Sequence, residues 1–417
     1  MKKLFLVVLL FSNLANAQDA EELSVEEKLQ AAATEHRSAL HYEDGVFSGP
    51  AWDLLVEEGR AAKFFLIGEE HGIAENPLLA GQLFATLTDY GYSKFVIEIS
   101  PTMAEVLDDA AKDGLDGLRS MFSRPGGEPA FFGKQEEAEM VATIRAALPE
   151  QELVFWGTDY EVLSDRELRR ILAETEKPEA AEEAFQVLQT AADGMWDQFM
   201  ETRSPQYIFS FGGDPALVRA VIDAWPDADA ETRRILHTLE ETLIINNLWM
   251  QGKAWDSNKR RANLQRHNFI EYWAAATAAG ESPRLIAKFG GSHLVRGLSQ
   301  TAVFDLGVLL PEIAALEGET TVSMLVVPGA GTEKAAFNPT TFGFDNVPAS
   351  GGYLKGLGPI ADAAFADEFT VIDLRPLRAI AGMKRRDLDD ELFRVIHGFD
   401  LLLVMSGSTP SGELEHD

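Results

Sequence analysis

Short apolar runs recur along this chain, each closed by glycine or polar residues: KFFLIG (63–68), KFVIEIS (94–100), ELVFWGTD (152–159), RLIAKFGGSH (284–293), TVSMLVVPG (321–329) and FDLLLVMSG (399–407). Without the regular polar alternation of a strand that is wet on one side, they predict strands covered on both faces, the condition of a parallel sheet. Between the first two, NPLLAGQLFATLTDYG (76–91) spaces leucines and Phe84 as a helix does and stops at Gly91. Strand, helix, strand in repetition predicts an α/β fold with a mostly parallel central sheet flanked by helices.

The strand signal disappears between Ser164 and Ala279, where charge-laced segments such as DRELRRILAETEK and ETRRILHTLEETLIINNLWM take over. This predicts an inserted all-helical cap region, packed over one sheet edge. The chain then divides into a leader (1–17), an acidic lead-in with one helix (18–42), a first part of the α/β core (43–163), the helical insertion (164–279) and a second part of the core (280–417). The Pro/Gly-rich stretches 124–133 and 329–359 are expected as long surface loops, and the glycine-dense SGGYLKGLGPIAD (350–362) as a flexible one.

The leader combines two lysines, an apolar run from Leu4 to Phe11 and Ala15-Asn16-Ala17, the pattern of a cleaved secretory signal. It predicts a product exported to the periplasm or outside the cell, with no membrane insertion, because no stretch reaches the roughly 20 apolar residues of a spanning helix. The chain has no cysteine, which excludes disulfides, thiolate metal sites and a cysteine nucleophile. A net charge of −31, from 67 acidic against 36 basic side chains, repels phosphate backbones and argues against nucleic acid as a partner.

Polar residues gather where the strands end. After the first come Glu69, Glu70, His71 and, one turn on, Glu75; the second carries Glu98; the third runs into Asp159; the fourth runs through two glycines to His293, with Arg296 behind it. Ligands of an open α/β sheet bind outside the carboxyl ends of its strands, so these side chains converge on one crevice. A histidine held by a carboxylate can take a proton from water, and a second histidine with an arginine can stabilise the oxyanion formed when that water attacks a carbonyl. Equally, His71, Glu98 and His293 could hold a divalent metal that acidifies a bound water. No G-x-S-x-G elbow, H-E-x-x-H helix or P-loop competes with this set.

LIGEEHGIAENPLLAGQLFATLTDYGYSKFVIEIS is similar to the amino-terminal signature of the erythromycin esterase-like hydrolases: G-E, then H-G-x-x-E, a helix, and a second strand ending in I-E. VFWGTDYE resembles their third strand, NKRRANLQRHNF a helix with an arginine and, seven residues on, an asparagine (Arg261 and Asn268), and LIAKFGGSHLVRG and FDLLLVMSGSTPS their later strands. The resemblance implies hydrolysis of a small-molecule ester or lactone without a required cofactor. It implies His71 as base, Glu69, Glu75 and Glu98 as its carboxylate partners, His293 and Arg261 against the reacting group, and Asp159, Asn268 and Arg296 among the substrate contacts.

Two departures accompany it. Only Glu70 separates Glu69 from His71, a G-E-x-H spacing closer to the related ChaN-type haem-binding proteins, which implies a haem- or iron-handling protein as the second reading. Where the esterases carry a histidine three residues before the one matching His293, this chain has Gly290, which implies as a third reading a homologue without activity.

Overall fold

The computed structural model describes residues 23–414 apart from 131, 330, 350–352 and 384, so the proposed leader lies outside the described residues. Its centre is a nine-stranded sheet built from β1 (Arg37–Glu43), β2 (Val46–Ser48), β3 (Phe64–Glu69), β4 (Tyr92–Ile97), β5 (Phe155–Gly157), β6 (Arg284–Gly290), β7 (Thr321–Pro328), β10 (Phe369–Asp373) and β11 (Leu401–Met405). A separate hairpin joins β8 (Glu333–Asn338) to β9 (Gly343–Pro348). The spatial order is β2-β1-β10-β11-β7-β3-β6-β4-β5. From β11 to β5 every neighbouring pair is parallel, and β10, β1 and β2 extend that sheet antiparallel.

Each of the six apolar runs supplies one of the parallel strands, for the reason their composition suggested: all six residues of β3 and all five of β11 are buried. Side chains alternate between the two faces. Phe65 and Ile67 of β3 join a cluster with Phe95, Leu79 and Leu83, whereas Phe64 and Leu66 join Trp156, Phe269 and Leu310 on the other face.

The inserted region, 164–279, contains helices and turns and no strand among its described residues. Its apolar side chains, among them Leu168, Phe185 and Leu239, merge with the first of these clusters, so the cap shares the core of the sheet. Its last helix, Ala254–Ala278, lies on the opposite face, where the Phe64 ring sits 5.4 Å from Trp273 and Trp156 sits 6.1 Å from Phe269.

Three expectations change. The lead-in holds its helix, Val25–Glu35, closed by a Ser24/Glu27 capping box, but residues 37–43 form β1, which pairs with β10 inside the sheet. Its polar RSALHYE carries no apolar run because, although paired on both sides, the strand buries only Leu40. The stretch 329–359 is not all loop, since it contains the β8–β9 hairpin. Of the glycine-dense stretch, residues 350–352 lie outside the described part, and Gly358–Ala361 forms a helical turn.

Candidate active site

Four adjacent strands deliver the site. β3 ends at Glu69, which lies in register with Gly290 at the end of β6; Glu98 follows β4 and Asp159 lies just beyond β5. β6 turns into the short helix Gly291–Leu294, which carries His293. Gly68 permits this turn, because a Cβ there would stand 3.0 Å from the Gly291 Cα.

The two imidazoles are held alike. His71 Nδ1 lies 2.9 Å from Glu69 Oε1, and His293 Nδ1 lies 2.7 Å from Asp305 Oδ2, so each carboxylate favours the tautomer with its proton on Nδ1. Both Nε2 atoms then face one carboxylate: Glu98 Oε2 is 3.6 Å from His71, and Glu98 Oε1 is 3.5 Å from His293. Glu98 is fixed in turn by the Gly290 N–H at 2.7 Å and by Arg261 Nη2 at 2.6 Å. Arg261 also donates from Nε to Asp159, at 3.0 and 3.1 Å, and lies over the Tyr160 ring at 4.7 Å.

Behind His71, Lys288 Nζ donates to Glu69 Oε1 and to Glu137 Oε1, both at 2.7 Å. The other oxygen of Glu69 accepts from Asn76. Gly290 leaves the space this packing needs, since a Cβ there would lie 3.1 Å from His71 Nε2 and 3.6 Å from Glu98 Oε2.

Burial by itself would raise the Glu69 and Glu98 carboxyls, but Lys288 and His71 hold Glu69 down at about 2, and His293, His71 and Arg261 hold Glu98 at about 2. Burial likewise disfavours charge on the imidazoles, yet Glu69 and Glu98 raise His71 above its ordinary 6.5, and Glu98 and Asp305 raise His293 against Arg261. Glu137 and Glu161 go the other way, pushed up to about 7 chiefly by burial.

These directions predict an acid-sensitive fold. Carboxylates held at about 2 add stability above their ordinary 4.5 and lose it as pH falls from there toward 2. The raised histidines add stability below 6.5 that fades as pH climbs through their folded values. A urea midpoint that drops between pH 4.5 and 2.5, and drops less steeply in Glu98→Gln, is the expected result. Equal slopes in the two proteins would contradict the assignment.

The cluster floors a cavity of about 860 Å³ whose walls are mainly apolar. One wall comes from the insertion (Phe211, Ile245) and the other from the hairpin (Ala335, Phe337, Phe344), with Trp249 and Met250 at the rim, each 57% exposed. Gly72 ties hairpin and histidine together: its carbonyl accepts from Ala335 N at 2.9 Å and from Ser411 N at 3.0 Å. At φ +90 its missing Cβ would fall 1.9 Å from the Ala335 oxygen. Gly72→Ala is therefore expected to cost about 1–3 kcal/mol in backbone strain and to displace both hairpin and His71. Wild-type thermal stability in that variant would argue that the contact is dispensable.

Of the residues singled out in the sequence, His71, Glu69, Glu98, His293, Asp159 and Arg261 meet here, and three do not. Glu75 turns to the tail, where it accepts from Thr409 N at 3.1 Å and Thr409 Oγ1 at 2.9 Å. Asn268 is spent inside the wall, donating to the Thr158 carbonyl at 2.9 Å. Arg296 pairs with Asp400 at 3.0 Å and with the Thr321 carbonyl at 3.2 Å; these residues open β11 and β7, so it lies toward the amino ends of the strands, away from the cavity.

Lys288, Glu137 and Asp305 escaped the sequence reading. A lysine within the apolar LIAKFG was the available signal, since a buried ammonium needs a carboxylate. Asp305 announces itself only as the cap of helix Leu306–Leu316, and Glu137 not at all. Among the described residues no group of three or more His, Asp or Glu is arranged to hold an ion.

No known family profile and no curated protein matches the chain. Solved structures do. A protein from Bacillus cereus aligns over 94% of this chain and 99% of its own, with a TM-score of 0.58 at 12% identity. A succinoglycan biosynthesis protein aligns over 94% and 100%, with 0.59 at 13%. A mutant of the erythromycin esterase EreC in its open conformation aligns over 91% and 99%, with 0.51 at 14%. Across nearly its whole length, the chain has the erythromycin esterase-like fold.

Proposed function

We propose that this protein is an exported hydrolase that uses His71 to activate water against a small-molecule ester or lactone. One observation carries the reading: two imidazoles, each oriented by its own carboxylate, direct Nε2 at the same buried Glu98 on the polar floor of an apolar-walled cavity. With Nδ1–H given to Glu69, neutral His71 offers its Nε2 lone pair to a water. The water oxygen bonds to the carbonyl carbon and its proton passes to Nε2. His293, charged beside Asp305 and Glu98, donates from Nε2 to the oxyanion together with Arg261. The tetrahedral intermediate then breaks its bond to the leaving oxygen, which takes the proton back, and acid and alcohol depart.

The leader-like segment supports export, and the walls support a substrate with an apolar body.

The test is a panel of aryl esters and macrolactones, assayed with and without chelator beside a haem titration. Turnover that survives the chelator, with an unmoved Soret band, is expected. An inert panel with a shifted Soret band would overturn the proposal in favour of haem binding, and an inert panel alone would favour the inactive homologue.

A further inference from the structure

Lys288 bridges Glu69 and Glu137 at 2.7 Å each, and the Glu69 oxygen it touches is the one that holds His71 Nδ1 at 2.9 Å. We infer that Lys288 and Glu137 are positioning residues for His71: Glu137 draws part of the lysine's charge away from Glu69, and that division sets how strongly Glu69 holds the imidazole proton. The inference rests on His71 as the base.

A merely structural ion pair would need one carboxylate. Lys288 and Glu69 already form one, with side chains 2% and 4% exposed. Glu137 is a second buried acid on the same ammonium, 7% exposed, and its Oε2 has no hydrogen-bond partner among the described residues. Leaving a carboxylate oxygen unpaired in the interior costs free energy and adds nothing to the Lys288–Glu69 bond. Its effect falls on Lys288. With its burial-raised carboxyl near 7, Glu137 can exist in either form around neutrality, so the lysine's charge is divided differently in each.

The charged groups that reach His71 come from several elements. Glu69 ends β3, Glu98 follows β4, and Lys288 lies in β6 with Glu137 of helix Gln135–Ala147 behind it. Arg261 and His293 act through Glu98, and Lys334 of the hairpin holds Glu70 at 2.5 Å nearby. Of these, Lys288 alone shares the oxygen that orients the ring.

Neutralising Glu137 should release the lysine to Glu69 and make His71 less basic. Removing lysine and Glu137 together should do the reverse. Imidazole titrations by NMR on the full chain test this: Glu137→Gln is expected to lower the His71 midpoint by about 0.5–1 pH unit and Lys288→Met/Glu137→Gln to raise it by a similar amount. His293, bonded to Asp305, should hold still in both. The paired variant avoids the two uncompensated buried acids that Lys288→Met alone would leave.

Shifts of one sign in both variants, or a His293 that moves as far as His71, would overturn the inference. The acid limb of kcat/KM should follow the His71 midpoint. Opposed midpoints without ester turnover in any variant would sink the hydrolase reading and spare the pair, whereas turnover with a static midpoint would sink the pair alone.

Discussion

His71→Ala is expected to lower kcat/KM for any ester the protein hydrolyses by roughly 10³-fold, within the range a positioned general base supplies. The fold should survive. His71 is 26% exposed on its side chain, and its removal leaves Glu69 bonded to Lys288 and Asn76, so no buried carboxylate is orphaned. Circular dichroism and a urea melt close to wild type, beside collapsed turnover, make the loss chemical rather than structural. Turnover within threefold of wild type would remove His71 as the base, whatever its geometry.

The second large effect is on stability. Arg261 is the cation that joins Asp159 and Glu98, whose side chains are 1% and 6% exposed. Arg261→Ala leaves two acids buried against each other without it, and breaking a buried pair in this way costs about 3–5 kcal/mol. Activity should vanish too, since Glu98 loses the donor that fixes its Oε1 opposite His293. Arg261→Lys restores charge but not the fork that spans both carboxylates, and is expected to recover part of the stability. A loss below about 1 kcal/mol on denaturant unfolding would show that solvent or rearrangement already satisfies both acids.

The parallel strands could be read from the chain because burial on both faces leaves a contiguous apolar run, a local property. β1, β2 and the β8–β9 hairpin carry no such mark: their pairing is antiparallel and most of their residues are half-buried or exposed. The same division runs through the site. Glu69, His71, Glu98, Asp159 and His293 were legible because parallel strands send their carboxyl ends to one side of a sheet, so a strand's direction alone predicts where its last residues gather.

Glu75 and Arg296 were misplaced because proximity in sequence to a strand end does not say where a side chain turns. Three residues past His293 the chain has already turned back toward the start of β7, and Arg296 follows it.

What the sequence by itself determined was therefore the parallel core, the helical insertion and the set of acids and histidines at the strand ends, all of which follow from short-range pattern. Only the tertiary structure decided which carboxylate each histidine holds, that Lys288 stands behind Glu69 with Glu137, and that the insertion and the hairpin wall the cavity. The Lys288 contacts join residues more than a hundred positions apart, to Glu69 and to Glu137. Their partners are chosen by the need of each buried charge for an opposite one, a need that exists only once the chain has folded.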